Sequence, residues 1–319
     1  MDRKNIENNQ TYTDQLDWLM ESATPSIRFL TLTTLMGKTS EDPQVKKLKA
    51  EIPNSEPVHS ILNEQLPSGG WIWERSHYGP KYRASHWTML LLSELGVDGM
   101  HPQMQKGAEY MLARMQPEIH KTRSEDEIGF GCFWANLLRY VLHCGKLDDP
   151  RVAEVVHIVQ KDIERRGQCA YNWDLPCAWA VIRDLWALAL IPENQRSGEI
   201  KETIEHGIHF VLDDAYDLSK GNYPYREKIH PLWTRLSFPL FYQTDILFTL
   251  RMLKELDALS HPKAQAALFW LRGKQGKNGR WKGSSPFKSK TWPFAIEEEG
   301  TSRWITLQAL AVLQNGNGA

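Results

Sequence analysis

Six stretches of this chain are apolar on nearly every face of the helix that their composition predicts. A helix that is hydrophobic all round is buried on all sides, so we expect six core helices. They cover residues 25–36, 83–95, 131–142, 176–188, 239–253 and 301–313. Gly37, Gly96 and Gly145 follow three of them, where a left-handed glycine commonly ends a helix.

An amphipathic segment with one charged face precedes each apolar stretch. These segments fall near residues 11–20, 54–65, 101–115, 150–165, 199–213 and 261–274. Pro150 and Pro262 stand where proline suits the first turn of a helix. No long alternating run of Val, Ile and Thr predicts a strand, so the pattern predicts an all-α protein of about twelve helices.

Six pairs of helices fit a single (α/α)6 toroid over residues 1–319, with six inner and six outer helices. An open solenoid is the alternative, but six units is the number that closes, and neither end has a polar capping helix. We expect residues 1–10 to form a flexible tail. The longest linkers should follow Gly37 and lie around 116–130 and 277–300.

One short motif occurs twice. The segment from Trp270 to Trp281 contains the pattern Gln-x-x-x-Gly-x-Trp, and the same spacing occurs in Gln65-Leu-Pro-Ser-Gly69-Gly-Trp71. We interpret each copy as the end of a helix at Gln, a glycine turn, and a Trp that fills the crevice before the next helix. Two copies about 210 residues apart indicate a repeat architecture.

These two blocks resemble the QW repeats of squalene–hopene cyclases and oxidosqualene cyclases. The predicted ring of helix pairs also resembles the β-subunits of protein prenyltransferases. Residues 80–87, 238–245 and 299–304 are similar to small single-toroid bacterial proteins described as squalene-cyclase-like or prenyltransferase-like. The resemblance covers most of the chain in architecture, and it implies a hydrophobic, isoprenoid substrate in an aromatic-lined central cavity.

The chain departs from these cyclases at the acid that starts their reaction. Class II cyclases protonate the substrate with an Asp-x-Asp-Asp motif, and this sequence has none, so we do not expect hopene synthesis. Asp213-Asp214-Ala-Tyr-Asp217 spells the magnesium-binding pattern of class I synthases. It falls at the end of an outer helix with no second metal motif, which favours a solvated helix terminus.

The amino-acid composition further limits the classes of function that we expect. The 13 Trp residues suggest aromatic lining as well as packing, and a net charge of -1 gives no field that would attract nucleic acid. No secretory signal and no apolar window long enough to span a bilayer is evident. Four cysteines in 319 residues do not make a disulfide scaffold, so we expect a cytoplasmic protein with reduced thiols.

The inner helices of a toroid run the same way, so their first turns should meet at one rim. The positive ends of six helices favour anions there. Our candidate catalytic residues at this rim are His86, Asp245 and Tyr82. Our candidate substrate-binding residues are Arg83, Trp87, Trp134, Trp179, Tyr242, Arg303 and Trp304.

Each candidate also has a structural interpretation. His86 could be a core histidine satisfied by a carbonyl, and Asp245 could form a salt bridge with an Arg at the rim. The aromatic residues would look the same in sequence if they were only packed. Lys81, Arg28 and Arg235 could join Arg83 and Arg303 in a diphosphate clamp, or all five could be solvated.

Cys132, Cys169 and Cys177 fall at or near the starts of inner helices and could bind zinc together with His86. Helix N-termini can also lower thiol pKa values. The alternative is that Cys132 and Cys177 are small buried apolar residues.

We therefore predict an enzyme, similar to terpene cyclases or prenyltransferases, that acts on a hydrophobic small molecule, with a diphosphate as one candidate head group. The alternatives are a zinc–thiolate enzyme and a non-catalytic module that binds a lipid or a peptide. No cofactor other than a possible zinc is implied, and the sequence does not determine the oligomeric state.

Overall fold

The computed structural model describes residues 3–125, 129–212, 230–294 and 297–314. Over these ranges the protein is all-α, with no β-strand beyond two isolated bridges. The helices are α1 (Arg3–Met20), α2 (Pro25–Leu30), α3 (Pro43–Glu51), α4 (Val58–Asn63), α5 (Ser85–Glu94), α6 (Pro102–Glu125), α7 (Gly131–His143), α8 (Pro150–Glu164), α9 (Ala178–Leu188), α10 (Gly198–Val211), α11 (Ile246–Glu255), α12 (Pro262–Arg272) and α13 (Gly300–Gln314). None of them is both long and apolar enough to cross a bilayer.

All six predicted core helices are present. They are α2, which a π-helical turn extends over Thr31–Leu35, and then α5, α7, α9, α11 and α13. Three of them, α5, α9 and α11, begin later than predicted. Ala84 has an extended backbone with a ψ of 171°, so α5 begins at Ser85 rather than at residue 83. The carboxylate of Asp245 accepts a hydrogen bond from the Phe248 N–H at 2.8 Å, which places the start of α11 at Ile246 rather than near 239.

The outer elements differ more from the prediction. The linker expected after Gly37 contains α3, which Asp42 caps by accepting hydrogen bonds from the backbone of Gln44 and Val45. Helix α6 continues to Glu125 through Pro117, across much of the linker expected around 116–130. Helix α1 begins at Arg3, within the stretch expected to be a flexible tail.

The core helices meet at matching ends, so they run in the same direction. Near the starts of α5 and α7, the rings of His86 and Phe133 are stacked with centroids 4.3 Å apart. Further along, Arg139 of α7 donates to the carbonyl of Trp186 in α9, and Lys254 of α11 donates to that of Ala311 in α13. In each of these three pairs the helices therefore run in parallel, while a single rim formed by all six stays a prediction.

The first and last repeats pack against each other. Gln314 at the end of α13 donates to the Leu35 carbonyl at 3.1 Å, and the indole N–H of Trp18 in α1 donates to Glu299 at 3.1 Å. Along the core, α5, α7, α9, α11, α13 and α2 make successive contacts. A closed ring requires such contacts between the two ends of the repeat series, while the complete toroid stays a prediction.

The two Gln–Gly–Trp turns make the same three hydrogen bonds. In the first, Gln65 donates to the Gly69 carbonyl, and the Trp71 indole donates to the carbonyl of Ile61, ten residues earlier. In the second, Gln275 donates to Gly279, and Trp281 donates to Leu271.

The third bond of each turn runs to the next core helix. The backbone N–H of Trp71 donates to the hydroxyl of Ser85 at the start of α5, and that of Trp281 donates to Thr306 in α13. Gly69 and Gly279 supply the positive φ of each turn, at 99° and 76°. Both motifs therefore brace an outer helix against the next core helix.

Candidate functional site

Aromatic side chains gather where the core helices begin. We call this group the aromatic rim. Its members belong to the segment before α5, to α5 itself, to the first turns of α7 and α9, and to the segments before α11 and α13. They are Tyr78, Tyr82, His86, Trp87, Phe133, Trp134, Trp179, Phe241, Tyr242 and Phe287.

Tyr82 lies at the centre of the rim. Its ring centroid is 4.7 Å from that of Phe287, 4.8 Å from Phe241 and 5.5 Å from Trp87. Its hydroxyl accepts a hydrogen bond from the Gln243 amide at 3.2 Å. Burial raises the pKa of Tyr82 to about 12, so the phenol is protonated at neutral pH.

His86 is fully buried among these rings. Its Nδ1 is 3.2 Å from the Tyr140 hydroxyl, and its ring stacks on Phe133 and meets Trp87 edge-on. Nε2 has no hydrogen-bond partner in the described part of the chain. Burial holds the pKa of His86 well below its usual value, and His77 adds to this effect. The imidazole is therefore neutral and has one uncommitted nitrogen.

A cation borders the rim on the solvent side. Lys81 is exposed, with Nζ 3.2 Å from the Tyr242 hydroxyl and 4.4 Å from the centre of its ring. The guanidinium of Arg83 lies 4.5 Å over the Trp292 ring, whose indole donates to Thr88 at 2.8 Å. Both cations therefore stand near the start of α5.

Two of the other predicted clamp cations, Arg28 and Arg303, are held elsewhere. Arg28 pairs with Glu51 at 3.4 Å. Arg303 pairs with Glu297 at 2.9 Å and lies 4.4 Å over the Trp18 ring. Trp304 stacks on Phe238 with centroids 4.5 Å apart. We therefore assign Arg303 to the contact between the first and last repeats, and Trp304 to packing against the segment before α11.

The segment before α11 occupies the interior behind the rim. Asn136 of α7 donates to the Phe241 carbonyl at 3.0 Å, and Arg183 of α9 donates to the Gln243 carbonyl at 2.6 Å. Residues 236–241 and 243–250 are all buried. Protein atoms therefore occupy this level of the interior.

Asp245 caps a helix. One carboxylate oxygen accepts from the Phe248 N–H and the other from the Ser237 N–H, both at 2.8 Å. Burial raises the pKa of Asp245 to about 7, although these two hydrogen bonds oppose the shift. Its partners are backbone groups rather than the rim Arg that we considered, and both oxygens are engaged, so we assign it a capping role.

The three candidate metal-binding cysteines lie within electrostatic reach of one another. Burial raises the pKa of the Cys132 thiol well above its usual value, and the nearby Cys177, Asp162 and Cys169 add to this effect. That is the opposite of the lowering expected at a helix N-terminus. Among the described residues, no group of three or more His, Cys, Asp and Glu side chains is arranged to hold a metal ion.

A buried pair of carboxyl groups lies beside these cysteines. Asp162 of α8 and Asp184 of α9 lie close enough to influence each other's ionisation, and both are almost inaccessible to solvent. Gly131 leaves room for the Asp162 carboxyl, because a Cβ there would lie 1.5 Å from Oδ2. Burial raises the pKa of both groups, and the Asp162 charge raises that of Asp184 further.

The sequence contains a signal for this pair that our predictions did not use. Asp162 interrupts the apolar stripe that Val155, Ile158 and Val159 begin on α8. Arg183, next to Asp184 on α9, packs 3.9 Å over the Phe248 ring, and burial lowers its pKa to about 9.

A separate surface groove of about 390 Å³ lies beside the first Gln–Gly–Trp turn. It is lined by Ser68, Lys106, Glu109, Tyr110, Ala113 and Arg114. Three of these are committed to neighbouring groups: Arg114 donates to Arg75, Tyr110 donates to Glu74, and Glu109 accepts from Arg151. We therefore place the candidate site at the aromatic rim.

The chain was compared with protein-family profiles, curated proteins and solved structures. None of them matches it. The predicted Asp213–Asp217 motif lies outside the described residues.

Proposed function

We propose that this protein acts on a hydrophobic, isoprenoid-type substrate with an anionic head group, bound at the aromatic rim. One observation carries the proposal: a continuous cluster of aromatic rings contains a neutral His86 with an uncommitted Nε2 and is bordered by an exposed Lys81. The resemblance of the Gln–Gly–Trp turns to those of terpenoid cyclases supports the same substrate class.

The head group would lie at Lys81. This ammonium group is held over the Tyr242 ring by a cation–π contact and by the hydrogen bond to its hydroxyl. A diphosphate there would add charge-assisted hydrogen bonds. Arg83, on the same segment, is the second candidate for contact with the head group.

The aromatic rings would stabilise positive charge on the substrate. Loss of diphosphate from a prenyl diphosphate leaves an allylic cation, which the negative faces of Tyr82, Trp87 and Tyr242 attract. If the neutral His86 donates its Nδ1–H to the Tyr140 hydroxyl, its Nε2 is unprotonated and is suited to take a proton from the carbon next to the cation. The half-buried Phe133 covers the His86 ring, so the proposal requires this side chain to move aside when substrate binds.

Binding and turnover test the proposal separately. Farnesyl and geranylgeranyl diphosphate are titrated against the protein while Trp fluorescence is recorded, and the extracted products are analysed by mass spectrometry. Lys81→Ala should weaken binding about fivefold, the order expected for one exposed cationic contact. Lys47→Ala removes an equally exposed lysine from α3 and should leave binding unchanged.

The results separate the alternatives. If neither diphosphate binds, the proposal fails. Binding without any product assigns the chain to the alternative class of non-catalytic lipid-binding modules. Stoichiometric zinc that disappears in a Cys132→Ser variant would instead support the zinc–thiolate alternative.

A further inference from the structure

Three large aromatic side chains stand in solvent at the edge of the aromatic rim. Phe130 precedes α7 and is 47% exposed, while Tyr171 and Trp173 precede α9 and are 68% and 63% exposed. Exposed apolar groups that cluster usually mark an interaction site. We call these three residues the outer aromatic group.

The loop that carries Tyr171 and Trp173 is held in place from beneath. Asn172 is buried, and its amide donates to the carbonyls of Leu175 at 3.2 Å and Pro176 at 2.9 Å. Trp173 and Asp174 both have a φ of 56°, in the left-handed region that costs free energy for residues other than glycine. The loop is therefore fixed in a conformation that costs free energy and displays two aromatic rings.

The outer aromatic group adjoins the rim. The rings of Phe130 and Tyr171 are 5.0 Å apart. The backbone of Phe133 donates to the Phe130 carbonyl at 3.0 Å, which places these two residues one helical turn apart. Phe133 in turn stacks on His86. Phe130 and Tyr171 therefore lie beside the rim at Phe133.

We propose that the outer aromatic group binds the far end of the same ligand and makes the site selective for long apolar chains. This inference rests on the proposed function. The anionic end of the ligand lies at Lys81, and its chain passes along the rim rings. A chain long enough to reach past Phe133 buries additional apolar surface against Phe130 and Tyr171, and the hydrophobic effect rewards each added methylene group. Shorter chains end before this surface.

The experiment compares two chain lengths in two proteins. Farnesyl and geranylgeranyl diphosphate differ by one five-carbon unit and share the same head group. The wild-type protein should bind the longer molecule about tenfold more tightly, since several buried methylene groups contribute that much. Tyr171→Ala/Trp173→Ala should remove most of this preference and leave farnesyl diphosphate affinity within about twofold.

Phe269→Ala is the matched control, because Phe269 is a 78% exposed aromatic residue on α12, outside the rim. It should keep the full preference. Equal urea midpoints for the three proteins would establish that folding is unaffected.

Each other outcome shows whether the proposed function or only this inference fails. If neither diphosphate binds to the wild-type protein, the proposed function fails and this inference fails with it. If both bind equally well, or if the double variant weakens both equally, the inference is overturned while the proposed function stands. A double variant that changes only the oligomeric state in gel filtration would assign the group to contacts between copies of the chain, which also overturns the inference.

Discussion

At the C-terminal ends of the core helices, Arg251 makes two hydrogen bonds to Glu94, at 3.0 and 3.1 Å, and Arg139 makes two to Glu255. The N-terminal ends contain His86, whose Nε2 has no hydrogen-bond partner among the described residues. One end of the core thus joins the three helices α5, α7 and α11 through satisfied ion pairs. The other end keeps a buried polar atom uncommitted among aromatic rings.

This difference indicates that the C-terminal ends of the core helices stabilise the fold, while the N-terminal ends contain the candidate site. Ion pairs whose hydrogen bonds are satisfied hold helices together and leave no group to bind a ligand. A buried nitrogen without a hydrogen-bond partner lowers the stability of the fold, so its presence calls for a functional explanation. We therefore expect substitutions at the C-terminal end to act on folding, and substitutions at the rim to act on ligands. Three changes test this division, in order of their expected effect on the free energy of unfolding.

The largest effect should come from Arg251→Met. It leaves the largely buried Glu94 carboxylate without its partner, and we expect a loss of about 3–5 kcal/mol in the free energy of unfolding. Urea unfolding followed by circular dichroism measures it. The double variant Arg251→Met/Glu94→Leu should recover most of the loss, because no charge remains buried. If Arg251→Met is as stable as wild type, the C-terminal ends of the core helices do not differ from the rim in their effect on folding.

A smaller effect should appear in the pH dependence that Asp162 and Asp184 produce. Their pKa values are raised in the folded state, to about 6 for Asp162, whereas unfolded carboxyl groups titrate near 4. The folded state thus binds more protons above pH 4. The stability that the pair contributes is complete below pH 4 and is lost as the pH rises through the folded pKa values.

Asp184→Asn tests this dependence by removing one titrating group. Between pH 4 and 6 the variant should gain stability relative to wild type by about 1.4 kcal/mol per pH unit at most. Urea midpoints measured at half-unit steps check it. Asp148→Asn, which replaces an aspartate outside the core, is the control. If the urea midpoints of wild type and Asp184→Asn change with pH in parallel, the pKa of Asp184 is not raised in the folded state.

The smallest stability effect should come from His86→Phe/Tyr140→Phe at the rim. Both hydrogen-bonding partners become apolar and keep their approximate shape, so we expect a change within about 1 kcal/mol. Product formation from a prenyl diphosphate should nevertheless fall by about 100-fold or more if His86 is the base. Tyr140→Phe alone should keep its activity. A double variant with full turnover would exclude His86 from the chemistry.

Much of the fold could be predicted because its signals are local. The apolar stretches at 131–142 and 301–313 correspond to α7 and α13, since a segment without a polar face has to be buried wherever it packs. The Gln–Gly–Trp turns could also be interpreted locally, because two of their three hydrogen bonds close within ten residues. Helix α3 was missed because its apolar positions are few.

Part of the rim could be predicted as well. The common direction of the core helices brings His86, Tyr82, Trp87, Trp134, Trp179 and Tyr242 into one cluster. Arg303 was expected there too, yet Glu297 and Trp18 hold it in the contact between the first and last repeats. The position of a buried charged side chain depends on the group that it pairs with. Helical periodicity in the sequence does not predict which group that is.

The sequence by itself therefore determined the helical class, the six core helices and the two bracing turns, since these follow from the pattern of apolar residues and from short-range hydrogen bonds. Only the tertiary structure decided which polar groups meet. It paired Asp162 with Asp184, engaged Asp245 with two backbone N–H groups, left His86 Nε2 uncommitted and filled the interior with the segment before α11. The physical reason is that the protonation and bonding of a buried polar group depend on neighbours contributed by distant parts of the chain.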